Sequence, residues 1–312
     1  MTSSEGGEYD CVVDPDGSGD YERIQAAIDD AKSFPRERIA IFLKEGVYEE
    51  KVTVHSWNPK IDLIGESADG TVIAHDDHFE RIDRGRNSTF FTYTLKVCGN
   101  DFRARNLTVR NDAGPEKGQA VALHVEADRA VFENCRFVGN QDTVYAAGEG
   151  SRQYFDDCYL EGTTDFVFGG ATAVFDNCEV HSKADSYVTA ASTPRTEPFG
   201  FVFDGCTLTA EPNVSEVYLG RPWRDHAHVT FLRSHMDDHI LPAGWHDWSR
   251  PDVVDDVTYA EYENRGPGSR TDDRVPWSET LSPAEAERYA AENVLLRRDS
   301  PKSDWYWHRA IC

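Results

Sequence analysis

The middle of the chain repeats one pattern of apolar and polar positions. An apolar residue and a phenylalanine are followed by an acid, one variable residue, a cysteine and, two positions later, a second apolar residue. Sequence repeats of roughly 20–50 residues are typical of a solenoid, a propeller or an array. Short strands joined by turns in each repeat favour the rungs of a parallel β-helix. Four segments carry the pattern: Val131–Phe137, Tyr154–Leu160, Val174–Val180 and Val202–Leu208.

Further short strands are predicted before these repeats, and helices are predicted near both ends. Apolar residues at helical spacing predict a helix over Glu22–Lys32. Ser282, Pro283 and Glu285 suit an N-cap, a first helical position and a capping-box acid, which predicts a helix to about Leu296. Apolar runs that end in turn residues predict strands at Cys11–Val13, Ile39–Leu43, Lys51–His55, Ile61–Ile64 and Thr71–Ala74.

These elements predict one all-β domain over residues 1–312, a parallel β-helix with a short N-terminal helix and a C-terminal helical tail. The solenoid is expected over about 11–277, and the helix and tail over 278–312. We expect Trp305, Tyr306 and Trp307 to lie back on the solenoid and cover apolar surface. The chain lacks the leucine pattern of leucine-rich repeats and the four strands per period of a propeller.

The cysteines of the repeats are interpreted as structural. The chain has seven cysteines, and none forms a CxxC pair or a Cys/His cluster with zinc spacing. Free cysteine commonly behaves as a small buried hydrophobe. We therefore expect a stack of buried cysteines, and neither a metal site nor a cofactor.

The net charge of the chain affects which binding partners are expected. Among 312 residues, 56 acids against 32 bases give a net charge of −24. This disfavours binding to nucleic acid or to an anionic membrane surface. It is also typical of adaptation to high salt, since molar salt screens repulsion between acids. We expect a halophile-like monomer that folds best in molar salt.

The beginning of the chain bears on location. Residues 1–9 lack the basic, apolar and twin-arginine features of an export signal. This favours a cytoplasmic location, with secretion as the alternative.

Two aspartates interrupt the rung pattern at the repeat interval. Asp142 and Asp165 are 23 residues apart, the same interval as Cys135 and Cys158. Residues one repeat apart in a solenoid lie one above the other, at about 4.8 Å between strands. Two carboxylates this close do not both ionise readily, so one is expected to hold a proton while the other stays charged. That pair could supply an acid and a nucleophile or base. The alternative is that both aspartates only cap turns.

Other polar and aromatic residues add to this candidate site. Gln119 could belong to a structural amide ladder, or it could face the acid pair. Arg221 and Trp223 could form a stacked surface pair, or they could orient a carboxylate and stack on a sugar ring.

Together, these residues and the segments that contain them resemble the pectin methylesterase family. Besides the five segments given at the end of this paragraph, three others are similar to that family: Asp16–Asp20, Gly244–Trp248 and Asn264–Gly268. The resemblance runs from about Val12 to Trp277 and implies a right-handed parallel β-helix without a cofactor. Five segments occur in the order of the family's signatures: Gly46–Glu50, Gln119–Leu123, Gln141–Val144, Asp165–Gly169 and Leu219–Trp223.

The resemblance also implies residue roles in the hydrolysis of methylated polygalacturonate. It implies that Asp165 is the nucleophile, that Asp142 is the general acid and then base, and that Arg221 keeps the nucleophile ionised. Gln119 and Gln141 match amide donors of the oxyanion hole. Residues implied to contact substrate are Thr89, Trp223 and Trp245, and cleft aromatics with less support are Tyr145 and Phe166.

The chain departs from the family pattern at a few positions, and other functions stay open. Val144 and Val167 replace Leu and Ile, and Thr92–Thr94 and Lys96 differ near Thr89. A pectate lyase would need Ca²⁺ and a basic side chain, which this group of two carboxylates, two amides and one arginine suits less well. An esterase for another acylated substrate and an inactive carbohydrate-binding solenoid are the remaining alternatives.

Overall fold

The computed structural model describes residues 9–296 and 305–306, so the expectation for Trp307 lies outside it. Its core is a right-handed parallel β-helix, in which each complete turn of the chain adds one strand to each of three parallel sheets and the turns at the two ends add strands to fewer sheets. We name them the tail sheet, the side sheet and the cleft sheet, with eleven, eight and seven strands.

The tail sheet runs from the first described strand to the last. Its strands pair in parallel in the order of the chain. They are Cys11–Val13, Ile39–Leu43, Ile61–Gly65, Arg103–Arg105, Ala130–Glu133, Arg152–Asp156, Thr172–Asp176, Phe201–Asp204, His228–Leu232, Thr258–Tyr262 and Glu279–Thr280.

The other two sheets complete each turn of the solenoid. The side sheet comprises Gly46–Glu49, Thr71–His75, Thr108–Asn111, Arg136–Val138, Tyr159–Gly162, Glu179–Ser182, Thr207–Ala210 and His235–Met236. The cleft sheet comprises Val52–Val54, Leu95–Val97, Leu123–Val125, Val144–Ala146, Val167–Gly169, Tyr187–Ala191 and Tyr218–Pro222.

The repeated sequence pattern forms two internal ladders. The phenylalanines of successive repeats stack, with ring centroids 4.8 Å apart for Phe132 and Phe155 and 4.6 Å apart for Phe155 and Phe175. The cysteines of the repeats are free and buried. Each follows a residue with a left-handed backbone, as Asn134 precedes Cys135, and this turn leads the chain from the tail sheet into the side sheet.

The helices are short. The α-helices are Ile24–Asp30, Phe79–Ile82, Pro283–Ala286 and Ala291–Leu295, and the 3₁₀ helices are Gly85–Phe91, Pro115–Lys117, Thr271–Asp273 and Glu287–Tyr289. The first begins later than predicted because the Glu50 carboxylate accepts hydrogen bonds from the N–H groups of Ile24 and Gln25. The predicted C-terminal helix has the expected capping box at Ser282, but extended backbone at Ala290 divides it.

The C-terminal segment packs on the outside of the tail sheet. Leu295, Trp305 and Tyr306 form an apolar cluster with Val131 and Tyr154. The rings of Tyr154 and Tyr306 meet edge to face at 5.3 Å. No helix in the described part of the chain is long and apolar enough to span a membrane.

Carboxylates also stack along the outside of the tail sheet. Glu133, Asp156, Asp176 and Asp204 occupy matching positions on four adjacent strands. Asp204 is compensated by Arg233, which donates from its guanidinium to both carboxylate oxygens. Burial and the neighbouring charge of Asp176 raise the pKa of Asp156 to about 6.

We expect Asp156→Asn to stabilise the protein at neutral pH. The pKa of Asp156 is higher in the folded protein, about 6, than its ordinary value of 3.8. Its contribution to stability is therefore full below about pH 4 and is lost as the pH rises through 6. Thermal unfolding should show a higher midpoint for the variant at pH 7.5 and no difference near pH 3.5.

Asp204→Asn is the matched control, because it removes an acid that Arg233 already compensates and should lower the midpoint at pH 7.5. If Asp156→Asn and the unaltered protein had equal midpoints of thermal unfolding at pH 7.5, this would contradict repulsion among the stacked carboxylates.

Candidate active site

A cavity of about 390 Å³ opens on the outer face of the cleft sheet. It collects residues that are far apart in the sequence and that occupy consecutive turns of the solenoid. Polar side chains from several turns therefore lie together where the rung pattern is interrupted. The cavity is lined by Phe79, Arg86, Thr89, Phe90, Gln119, Gln141, Asp142, Asp165, Phe168, Ala190, Arg221, Trp223 and Trp248.

The two aspartates lie on adjacent turns, as the repeat interval predicts. The Asp142 N–H donates to the carbonyl of Thr164 at 3.1 Å, which places Asp142 beside the residue preceding Asp165. Both have a left-handed backbone, with φ of 66° at Asp142 and 52° at Asp165, a conformation that aspartate adopts more readily than most residues. Both line the cavity, while the following residues, Thr143 and Phe166, are fully buried.

The two glutamines also lie on adjacent turns, Gln141 on the turn of Asp142 and Gln119 on the turn before it. Gln119 and Gln141 pair as a parallel bridge, and the Ala120 N–H donates to the Gln141 carbonyl at 3.0 Å. Both line the cavity with the aspartates. Two amide groups thus border the space in front of the carboxyl pair.

Arg221 binds Asp165 in a bidentate arrangement. Its Nε donates to Asp165 Oδ1 at 3.0 Å, and its second terminal nitrogen donates to Oδ2 at 2.6 Å. The guanidinium lies between two rings, 3.9 Å from the centroid of Tyr187 and 3.7 Å from that of Trp248. Aromatic faces on both sides fix the plane of the guanidinium and hold the Asp165 carboxylate in one orientation.

The electrostatic surroundings of the two carboxyls differ. Burial, with the charge of Asp165 as a second cause, raises the pKa of Asp142 well above its ordinary value. Burial also raises the pKa of Asp165, but the hydrogen bonds and charge of Arg221 oppose this rise. No hydrogen bond from the described residues reaches the Asp142 carboxyl. Because Arg221 stabilises the charge of Asp165, the proton of the pair belongs on Asp142.

The predicted substrate-contacting residues divide into two groups. Thr89 and Trp223 line the cavity. Tyr145 lies next to it, stacked on Phe168 at 4.6 Å, and is not among the lining residues.

The structure corrects two of these predictions. Phe166 is fully buried in the solenoid core, because the turn at Asp165 directs the next side chain inward. Trp245 is 1% exposed and stacks inside the solenoid on Tyr259, at 4.6 Å between ring centroids. Trp248, from the same sequence segment as Trp245, lines the cavity together with Trp223.

Several lining residues were not identified from the sequence. Trp248 and Phe168 lie within quoted motifs, so motif membership was a usable signal. Phe79, Arg86 and Phe90 come from the irregular segment between the side and cleft sheets, where no repeat predicts position. The Phe79 N–H donates to the Gln119 carbonyl at 2.9 Å and holds this segment against the cavity.

Known proteins are similar to this chain over most of its length. The pectinesterase family model matches residues 10–299. Pectinesterase 31 of Arabidopsis thaliana is 37% identical over 302 residues, covering 95% of this chain and 93% of that protein. The chain spans only about half the length of other curated relatives, such as 52% of the probable pectinesterase/pectinesterase inhibitor 23 of the same plant.

Solved structures are also similar. Pectin methylesterase from carrot superposes with a TM-score of 0.87 at 32% identity, covering 95% of each chain. A pectin methylesterase in complex with a hexasaccharide superposes with a TM-score of 0.79 at 28% identity, covering 93% of this chain and 98% of that one. With its carboxyl pair, its two amides and these likenesses over nearly its whole described length, the chain belongs to the pectinesterase family.

Proposed function

We propose that this protein hydrolyses methyl esters at the C6 carboxyl of galacturonate units in pectin or oligogalacturonates and releases methanol. One observation carries the proposal. Arg221 binds Asp165 through two hydrogen bonds, while the neighbouring Asp142 is buried without such a partner. The site thus offers a charged nucleophile beside a protonated acid, which is what ester cleavage with a poor leaving group requires.

Each carboxyl has one role in each half of the reaction. Asp165 attacks the ester carbonyl carbon, and the bond to the methoxy oxygen breaks as that oxygen takes the proton of Asp142. This leaves an acyl-enzyme, an anhydride between substrate and Asp165. Asp142, now ionised, accepts a proton from water as the water attacks the acyl carbon. The galacturonate carboxyl is released, and Asp165 returns to its pairing with Arg221.

Gln119 and Gln141 are assigned to stabilise, through their amide N–H groups, the negatively charged oxygen that forms on the attacked carbon. They lie on adjacent turns and line the same cavity as Asp142 and Asp165. Amide N–H groups fixed in a partly enclosed site stabilise developing charge more effectively than water, which must reorient.

We expect Gln141→Ala to lower kcat by roughly 10²–10³ if its amide donates to this oxygen. Initial rates of methanol release across a range of pectin concentrations separate kcat from KM, and circular dichroism checks the fold. A change confined to KM would make Gln141 a binding residue.

The experiment that tests the function is methanol release from highly methylated pectin, with the shortening of the chain followed in parallel. Methanol without shortening is expected. Chain cleavage with an unsaturated product that a chelator abolishes would support a lyase. Inactivity on pectin and on short methylated oligogalacturonates would support another ester substrate or an inactive binding module.

We also propose that the protein is a salt-adapted monomer. The net charge is −24, and molar salt reduces the distance over which charges interact to about 3 Å. The midpoint of thermal unfolding should therefore rise between about 0.1 M and 1 M salt. A midpoint that does not respond to salt would contradict the adaptation, and sedimentation in the same buffers would report the oligomeric state.

A further inference from the structure

Arg86 is an arginine of the cavity to which the proposed mechanism gives no role. Two cationic side chains line the cavity, Arg86 and Arg221. Arg221 is bound to Asp165 and lies between two aromatic rings. Arg86 is exposed, and its guanidinium has no hydrogen bond or ion pair with another residue in ranges 9–296 and 305–306. It can therefore bind an anion that enters the cavity.

The backbone that carries Arg86 is well anchored. It belongs to the 3₁₀ helix Gly85–Phe91. The hydroxyl of Ser88, which is 1% exposed, accepts a hydrogen bond from the Arg84 N–H at 2.8 Å and donates to the Gly85 carbonyl at 2.9 Å. Thr89, the residue after Ser88, is buried at the cavity wall. Because Ser88 and Thr89 anchor the 3₁₀ helix in the interior, Arg86 is presented at the rim by an ordered turn.

Three other cations near this segment are already paired with carboxylates. Lys51 donates to an Asp77 oxygen at 2.7 Å, and Arg81 is paired with Asp76. Lys96 donates to Glu126 at 2.9 Å. Arg86 differs from these three because it combines an unpaired guanidinium with a position on the cavity.

The cavity is chemically asymmetric along the solenoid axis. The segment with Arg86 is held at the turn of Gln119, which precedes the turns of Asp142 and Asp165. Trp223 and Trp248 line the opposite end, beyond the aspartates. A chain of uronate units lying along the axis would thus have one neighbour of the reacting unit near a cation and the other near indole rings.

We propose that Arg86 binds the free carboxylate of a galacturonate unit adjoining the ester under attack, so that the enzyme prefers partly de-esterified chains. The inference rests on the proposed methylesterase function. A guanidinium forms two parallel hydrogen bonds with a carboxylate, whereas a methyl ester carries no charge and offers a weaker acceptor. Each turnover converts an ester to a carboxylate, so the product of one turnover becomes the recognition element for the next.

The test compares two substrates of equal length. They are fully methylated hexagalacturonate and hexagalacturonate with about half of its carboxyls free. In the unaltered protein, kcat/KM for each remaining ester should be higher on the partly free substrate. Arg86→Gln should lower that value by roughly tenfold, the size of one charge-assisted interaction, and leave the value on the fully methylated substrate nearly unchanged.

Two further variants make the test specific. Arg36→Gln removes the same charge from an exposed arginine outside the cavity, and it should leave the preference intact. Arg86→Lys keeps the charge but loses the planar fork, so part of the preference should remain. The preference should also shrink between about 0.1 M and 1 M salt, because screening weakens exposed charge pairs.

The outcomes separate this inference from the proposed function. Equal losses on both substrates in Arg86→Gln, or no loss on either, would overturn the role of Arg86 while methanol release by the unaltered protein upholds the esterase. If Arg36→Gln lowered the preference for the partly free substrate as much as Arg86→Gln does, the effect would be due only to the change in net charge. Absence of methanol from both substrates with the unaltered protein would overturn the esterase function itself.

Discussion

Asp165→Asn should release methanol from highly methylated pectin at a rate lower by roughly 10⁴ or more, because an amide cannot replace a carboxylate as nucleophile. Asparagine has nearly the same shape and tolerates the left-handed backbone at this position, where φ is 52°. The fold should therefore persist. Arg221 would keep an amide oxygen as an acceptor and would lose the charge it compensates.

The matched control is Asp157→Asn. Asp157 also has a left-handed backbone, with φ of 52°, but it lies in a turn that does not line the cavity. This control should retain full activity. Substantial activity of Asp165→Asn, measured on protein free of unaltered enzyme, would show that the nucleophile is another group.

The solenoid could be predicted because the same side-chain contacts recur in successive turns. A phenylalanine and a cysteine at the same place in each repeat become the stacks seen between Phe132, Phe155 and Phe175. The same periodicity predicts that Asp142 and Asp165 lie on adjacent turns, and the structure confirms it. Residues one period apart must stack when each turn adds one strand to each sheet.

The parts that the sequence predicted poorly lie outside this repetition. The family resemblance implied that Trp245 and Phe166 lie at the cleft, yet both are buried in the core. Alternation along a strand decides which neighbour faces inward, and the left-handed turn at Asp165 shifts that alternation. The segment with Arg86 and Phe90 follows neither a repeat nor a regular strand, so only three-dimensional structure could place it at the cavity.

The pairing of Arg221 shows a further limit of sequence reasoning. Spacing alone predicted that one aspartate of the pair would hold a proton, but it could not say which one. That assignment depends on the two hydrogen bonds to Asp165 and on the aromatic rings of Tyr187 and Trp248, which fix the guanidinium. These residues are far apart in sequence, and only the fold brings them together.

Asp142→Asn should lower kcat for methyl esters by roughly 10²–10⁴, the usual contribution of a general acid or base. Methoxide is a poor leaving group, and asparagine has no proton to give it at this step. The pH profile should change as well. Because the pKa of Asp142 is raised, kcat of the unaltered enzyme should fall as the pH rises through that pKa and the acid is lost. This alkaline decline should be absent from the variant.

An aryl ester of an oligogalacturonate distinguishes the two aspartates, because a phenolate leaves without being protonated. Asp142→Asn should then release a rapid burst of phenol followed by slow turnover, since attack by Asp165 proceeds but no base activates water. Mass spectrometry of the intact protein should show the acyl-enzyme during the slow phase. Asp165→Asn should give no burst with either ester. If Asp142→Asn slowed the phenol burst as much as methanol release, Asp142 would act on the attack itself, and the assignment of the proton to Asp142 would be wrong.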